Sequence, residues 1–226
     1  MNLIIGMGQI GSALYEIFPD SQTLDRKQES IKLPIDVMHV TIPYNSEFIK
    51  IVKNYMKKYE PKHVVVYSTV AVGTTRKLGN NVVHSPIEGK HPQLVKGMKR
   101  FTRWIGGPKP TALAVEKLWE DIVDCKIVDS SDFTEFLKLY STSKYGINIV
   151  WADYANEWAK SIGMDYQLIK DFDKDYNKLY HNFPQYRRYI LDPPNGKIGG
   201  HCIVPNAEIL DKQKSHLMLR MIKGMQ

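Results

Sequence analysis

Long apolar runs are missing from this chain. No segment approaches the roughly 20 consecutive apolar residues needed to cross a bilayer, so no membrane helix and no membrane partner are expected. Cysteine is scarce: among 226 residues there are two, Cys125 and Cys202, in unlike settings, which excludes a disulfide framework. No second cysteine or histidine stands at ligand spacing from them, so a metal site is not expected. A nucleic-acid motif is also missing. The net charge is +7, but the lysines are scattered and no basic stripe is interleaved with aromatics. The surplus charge is read as solvated helix faces together with an anionic small-molecule substrate. Repeats and low-complexity tracts are absent. The chain enters an apolar strand at its second residue, which leaves no room for a signal peptide and points to the cytoplasm.

What is present has the balance of a globular protein, with 43% hydrophobic and 24% charged residues in a length suited to one domain with an appendage. The most informative stretch is the first. Asn2 to Ile5 reads as a buried strand, Gly6-Met7-Gly8-Gln9-Ile10-Gly11 follows at once, and Ser12 to Ile17 opens a helix. This is the strand, glycine turn and helix that a dinucleotide fingerprint requires. The first glycine permits the turn, the second admits a pyrophosphate, and the third lets helix and strand pack closely. Phosphate oxygens then face the helix start, where unpaired N–H groups and the dipole favour negative charge. The fingerprint also needs an acidic residue about 20 positions on, and Asp25 supplies it at the end of Gln22-Thr23-Leu24. Arg26 beside it leaves room for a 2′-phosphate, so NAD is favoured with NADP left open.

Downstream, Ile35 to Ile42 reads as a strand ending at Pro43, and Ile42 and Pro43 are counted with the cofactor-binding residues. Ser46 is placed to cap a helix that runs to about Lys58 and is stopped by Pro61. His63 to Tyr67 is a β-branched central strand. It ends in the small-residue loop Ser68-Thr69-Val70-Ala71-Val72-Gly73-Thr74-Thr75, at the strand end where parallel sheets bind ligands, so Ser68 and Thr69 join the cofactor set. Asn81 to His84 is a strand, followed by a loop that includes Ser85, Pro86 and Glu88. A helix from Leu94, a strand at Trp104 to Gly107, a helix from Thr111 to Ile122 and a strand at Cys125 to Val128 complete the alternation. The pattern predicts an α/β fold, a Rossmann-type doubly wound parallel sheet, over residues 1–130. Residues 131–226 are expected to be mainly helical. A continuous helix from Asp132 to about Ile162, some 45 Å long, is too long for one sheet layer and is expected to form a homodimer surface.

Near the C-terminus, Gly199-Gly200-His201-Cys202 delivers a cysteine beside a histidine on a turn that lets backbone approach a ligand. A cysteine nucleophile needs an adjacent base or a depressed pKa, and His201 could supply either. A buried, inert cysteine remains the alternative.

Together these stretches resemble the UDP-glucose/GDP-mannose dehydrogenases, NAD-dependent enzymes that oxidise a nucleotide-sugar alcohol to the acid. The resemblance covers the glycine turn, the Ser68 to Thr75 loop, which is similar to the family's S-T-V-P-P-G-T-T, the Ser85-Pro86 loop with Glu88, the long helix with Lys138, and the Gly-Gly-His-Cys loop. It implies Cys202 as the nucleophile that forms a thiohemiacetal. It also implies Lys138 as the stabiliser of the developing oxyanion and Glu88 as a loop carboxylate positioning water. Thr142 stands where the family has an asparagine one turn after the lysine, and Asn206 where the loop after the cysteine ends in aspartate. Lys144 and Asn148 offer a second lysine–asparagine pair, displaced by six residues. The family's C-terminal nucleotide-binding domain has no counterpart in the sequence. The expected substrate is a sugar nucleotide or sugar phosphate. A two-electron dehydrogenase of the 3-hydroxyacid or 6-phosphogluconate type, needing no cysteine, and a non-catalytic NAD-binding regulator are the alternatives.

Overall fold

The computed structural model describes all residues except 26–29, 90–91, 195–196, 199–201 and 226. The described residues divide into two compact units, Met1–Lys138 and Leu139–Gln226.

In the first unit seven strands form one sheet: β1 (Asn2–Ile5), β2 (Gln22–Leu24), β3 (Val37–Val40), β4 (His63–Val66), β5 (Val82–His84), β6 (Arg103–Gly106) and β7 (Cys125–Val128). Their spatial order is β2-β1-β3-β4-β5-β6-β7. The chain leaves β1 to one side for β2 and returns to the other for β3, so a topological switch point lies beside the glycine turn. Every pairing is parallel except β5–β6, which is antiparallel through the single pair His84 and Gly106, so β6 and β7 run against the other five strands. The fold class is the expected one; the reversal of β6 and β7 is a departure, since short strands carry no local signal of direction.

The alternation of side chains explains the layers. Leu3 and Ile5, Met38 and Val40, and Val64 and Val66 point to one face and pack with Phe48 and Val52 of α2 (Phe48–Tyr59). Ile4, Val65 and Val83 point to the other, against Leu14 of α1 (Gln9–Ile17), Leu94 and Met98 of α3 (Leu94–Met98), and Val115 and Trp119 of α4 (Lys109–Trp119). Full burial of each such aliphatic side chain contributes about 1.5–3 kcal/mol. Ser46 is not the cap of α2. The helix begins at Phe48, and the Asn45 side chain accepts the Glu47 N–H at 2.9 Å instead. The helix ends at Tyr59, where Glu60 turns left-handed with φ 43° just before Pro61.

The unit boundary falls within α5 (Ser131–Ser161), a 31-residue helix. The second unit adds α6 (Tyr166–Leu179), a 3-10 turn at Pro184–Tyr186, α7 (Ile203–Gln213) and α8 (Leu217–Lys223). Asp165 caps α6 by accepting the Gln167 N–H at 2.8 Å. A small core of Ile198, Val204, Ala207, Leu219 and Ile222 packs with Ile147 and Val150 of α5. Among the described residues no helix is long and apolar enough to cross a membrane.

Candidate functional site

The three glycines of the turn do different work. Gly6 leaves β1 at φ 91°, and a Cβ on Gly11 would stand 1.9 Å from the Gly6 carbonyl oxygen, so α1 lies directly on the turn. A Cβ on Gly8 would meet nothing within 4 Å. The first and third glycines are therefore fixed by geometry, while the second borders open space. Gly8 is the N-cap of α1, which has neither a side-chain cap nor an acidic residue in its first turn. The helix start at Gln9 and Ile10 thus presents backbone N–H groups without an internal acceptor. The Gly6 N–H donates to Leu24 O at 2.8 Å, which ties the turn to the end of β2, and the next residue, Asp25, is exposed. Arg26 lies outside the described residues.

Cross-loop hydrogen bonds lace this sheet edge together. Thr41 Oγ1 reaches Ile5 O at 3.0 Å and Gly6 O at 2.7 Å, and Ser68 Oγ donates to Ile42 O at 2.6 Å. His84 Nε2 lies 3.3 Å from Ser68 O, and its Nδ1 lies 3.0 Å from Thr134 Oγ1. A carbonyl only accepts, so Nε2 carries the proton. Burial, with the Lys138 charge adding to it, pushes His84 down to about 3 and keeps it neutral. Ile42 is half-buried, Pro43 exposed, and Thr69 half-buried beside Ser68.

The first turns of α5 supply the polar side chains behind this edge. Glu135 is fully buried, and its two carboxylate oxygens accept the Gly73 N–H at 2.6 Å and the Thr75 N–H at 2.7 Å. Lys138, one turn on, donates to Ile87 O and sits 3.7 Å from Glu88 Oε1. Two of the anticipated catalytic residues, Lys138 and Glu88, are thus neighbours. Glu135 was not anticipated; its place on the same helix face as Lys138, three residues earlier, is the signal that could have found it. A second cation, Arg103, is buried beneath the same loop, donating to Pro86 O and Met98 O at 3.3 Å and stacked 4.0 Å over Trp119. Two successive carbonyls of the 86–87 loop are therefore held by cations.

In the second unit, Cys202 is exposed and is the N-cap of α7. Asn206 does not end a loop, as expected, but lies in the first turn of α7, its N–H donating to Cys202 O at 3.1 Å. Pro205 is compatible with this because a first-turn N–H has no acceptor in the helix. The Asn206 side chain is buried and donates to Thr142 Oγ1 at 3.0 Å, while Thr142 donates to Leu139 O at 3.2 Å. The two positions that depart from the family pattern thus touch and form a neutral pair. His201 and the two glycines before it lie outside the described residues. The second lysine–asparagine pair is spent locally: Asn148 donates to Lys144 O at 3.0 Å, and the Lys144 ammonium lies 5.7 Å from the Tyr140 ring. Cys125 is half-buried in β7, and burial pushes its thiol up to about 11. Among the described residues no group of His, Cys, Asp or Glu could hold a metal ion.

No protein-family model matches the sequence, and no curated protein matches it. Solved structures do share the fold. UDP-D-ManNAc dehydrogenase from Pyrococcus horikoshii superposes with a TM-score of 0.79 at 17% identity, over 100% of this chain and 69% of that one. A UDP-glucose dehydrogenase from Pyrobaculum islandicum gives 0.76 at 14% identity, over 99% of this chain and 66% of that one. The 3-hydroxyisobutyrate dehydrogenase of Mycobacterium tuberculosis gives 0.72 at 12% identity, over 98% and 90%. The chain spans about two thirds of the sugar-nucleotide enzymes and most of the hydroxyacid enzyme.

Proposed function

We propose that this chain is a nicotinamide-dependent dehydrogenase that oxidises an alcohol on an anionic small molecule, a sugar nucleotide or sugar phosphate. The observation that carries the reading is the glycine turn, in which Gly6 and Gly11 are fixed by packing while Gly8 opens onto space at an uncapped helix start. Those residues fit a dinucleotide. Gly8, Gln9 and Ile10 would hold the pyrophosphate, and Asp25 the adenosine ribose, which favours NAD. Ile42, Pro43, Ser68 and Thr69 would line the cleft along the same edge. When bound, NAD supplies the acceptor for a hydride.

The chain's own residues would manage charge. The Lys138 ammonium, oriented by Ile87 O and Glu88, would stabilise an oxygen that becomes negative as an alcohol is oxidised. Glu88 would position water or take a proton. Cys202, exposed at a helix start, would attack an aldehyde carbon with its sulfur. The neutral Thr142–Asn206 pair offers that thiol no carboxylate. This favours a second reading, in which the reaction stops after two electrons and Cys202 is not required; the fold shared with a 3-hydroxyisobutyrate dehydrogenase fits it. The surplus of positive charge would favour anionic substrates in either case.

A homodimer belongs to the same proposal. Trp151 and Trp158 of α5, Ile162 just beyond it, and Leu168 and Phe172 of α6 are 56–67% exposed and line one apolar groove of about 450 Å³. Apolar surface of this kind marks an interface, and a second copy is the occupant proposed here.

The test is NADH formation by purified protein with NAD and a panel of sugar nucleotides, sugar phosphates and hydroxy acids. Two NADH per substrate, abolished by Cys202→Ser, would establish oxidation to the acid. One NADH per substrate, insensitive to that change, would establish the two-electron reading. NAD binding without turnover on any substrate would contradict both and leave a regulatory protein.

A further inference from the structure

We propose that Glu135 is the positioning residue of the loop 68–75, a carboxylate clip that holds the loop when ionised and loosens it when protonated. The inference rests on reading the glycine-turn edge as a dinucleotide cleft, because the loop leaves β4 along that edge.

Val70 anchors the middle of the loop in the hydrophobic core, while the segment from Ala71 to Gly73 is small and brings little side chain of its own to its far end. Its start is tied by Ser68 Oγ to Ile42 O, and Thr74 Oγ1 turns inward to Ala71 O at 2.6 Å. Its far end is held from α5, sixty residues away, by the paired bonds of Gly73 N–H and Thr75 N–H to the two Glu135 oxygens. An ionised carboxylate accepts on both oxygens. A protonated one carries its hydrogen on one of them, and that oxygen then faces an N–H donor with a hydrogen of its own. Protonation therefore removes one of the two bonds by which Glu135 grips the loop end.

The surroundings bring this change above the ordinary carboxylate range. Burial pushes Glu135 up, the hydrogen bonds from Thr75 and Gly73 push back, and the negative charge of Asp132 pushes the same way as burial. Asp132 shares α5 with Glu135 and is paired with Arg76 at 3.4 Å. Arg76 and Lys77 stand on the 3-10 turn Thr75–Lys77 that the clip holds. Lys138, one turn along α5, is directed to Ile87 O and Glu88. His84 on β5, which touches neighbouring Thr134, is neutral throughout this range. Loosening the loop would widen the cleft edge and weaken cofactor binding as pH falls.

The experiment is amide hydrogen exchange at Gly73 and Thr75, followed by NMR between pH 8 and pH 4 and corrected for intrinsic exchange, with NAD titrations on the same samples. The wild type should lose roughly tenfold or more of its protection at these amides as Glu135 protonates, and NAD affinity should fall by a similar factor over the same interval. Glu135→Gln, which can accept only one N–H, should show the weakened values at every pH, without any fall at Gly73 and Thr75 beyond that shared by the other buried amides of the unit. The wild-type series stands alone if that variant fails to fold. Protection that is independent of pH in the wild type, or equal NAD affinity and pH profile in wild type and Glu135→Gln, would overturn the inference. Amides that titrate as expected in a protein that binds no NAD would uphold the clip and instead remove the cofactor reading on which its role depends.

Discussion

Two fully buried histidines should make the first unit sensitive to acid, and His39→Phe should remove half of that sensitivity. His39 is stacked between Phe18 at 5.8 Å and Tyr67 at 5.7 Å, and burial pushes it down to about 3. His84 is pushed to about 3 as well. In the unfolded chain both titrate near 6.5. Below that pH the unfolded state takes up two protons that the folded state refuses, so stability falls as pH drops from about 6.5 towards 3. Each group costs about 1.4 kcal/mol per pH unit, or about 2.7 kcal/mol per unit for the pair. At pH 5 the two together have removed about 4 kcal/mol, a large share of the roughly 5–15 kcal/mol that holds a domain. Glu135, whose folded pKa is raised, acts in the opposite sense and stabilises the fold as it protonates, which offsets part of the loss. His39→Phe keeps the stack but leaves the Tyr67 hydroxyl, 3.4 Å from His39 Nδ1, without that partner. The variant should therefore be about 1–3 kcal/mol less stable at pH 8. The deficit should shrink by about 1.4 kcal/mol per unit below pH 6.5 and vanish near pH 5. Urea unfolding at pH 8, 7, 6 and 5, followed by the fluorescence of buried Trp119, measures this directly. Parallel curves, with a deficit that does not change with pH, would refute the reasoning.

Two further perturbations address the fold and the assembly. Gly11→Ala should cost about 1–3 kcal/mol or more in urea unfolding, because its Cβ would stand 1.9 Å from the Gly6 carbonyl and the helix must move away; a gain in stability would mean that α1 does not lie on the turn. Trp158→Glu places a charge on a side chain that is 56% exposed in the apolar groove. The wild type should sediment as a dimer and this variant as a monomer, whereas a monomeric wild type would show that the groove does not pair two copies.

Much of the first unit was legible because its signals are local. Asn2 to Gly11 states strand, turn and helix in ten residues, and His63 to Tyr67 shows the β-branched density of a strand buried on both faces. The 31-residue α5 was equally plain from its unbroken helical periodicity. What the sequence withheld is non-local or finely balanced. The direction of β6, and of β7 parallel to it, depends on one pairing with β5. The N-cap of α2 falls one residue past Ser46, at Glu47, with no side-chain cap, because the Asn45 side chain instead takes the Glu47 N–H just ahead of the helix. The start of α7 immediately after Cys202 was hidden by Pro205, which reads as a loop residue but is tolerated in a first helical turn. Glu135 is only half legible: its place three residues before Lys138 marks the helix face, but its partners are backbone N–H groups sixty residues away, which no local pattern announces. Lys138 and Glu88 were named from resemblance, and their proximity follows from α5 crossing the loop after β5.

The central claim is that a dinucleotide lies over Gly8, and titration of NAD into the wild type and into Gly8→Ala tests it most directly. A Cβ at Gly8 meets nothing within 4 Å, and its φ of −72° suits any residue, so the variant should fold with a stability loss of no more than about 1 kcal/mol at the helix cap. The wild type should bind NAD saturably at one per chain. Gly8→Ala should bind at least about tenfold more weakly, because its methyl group occupies the space of the pyrophosphate. Equal affinity in the two proteins, or no binding by a folded wild type, would contradict the claim.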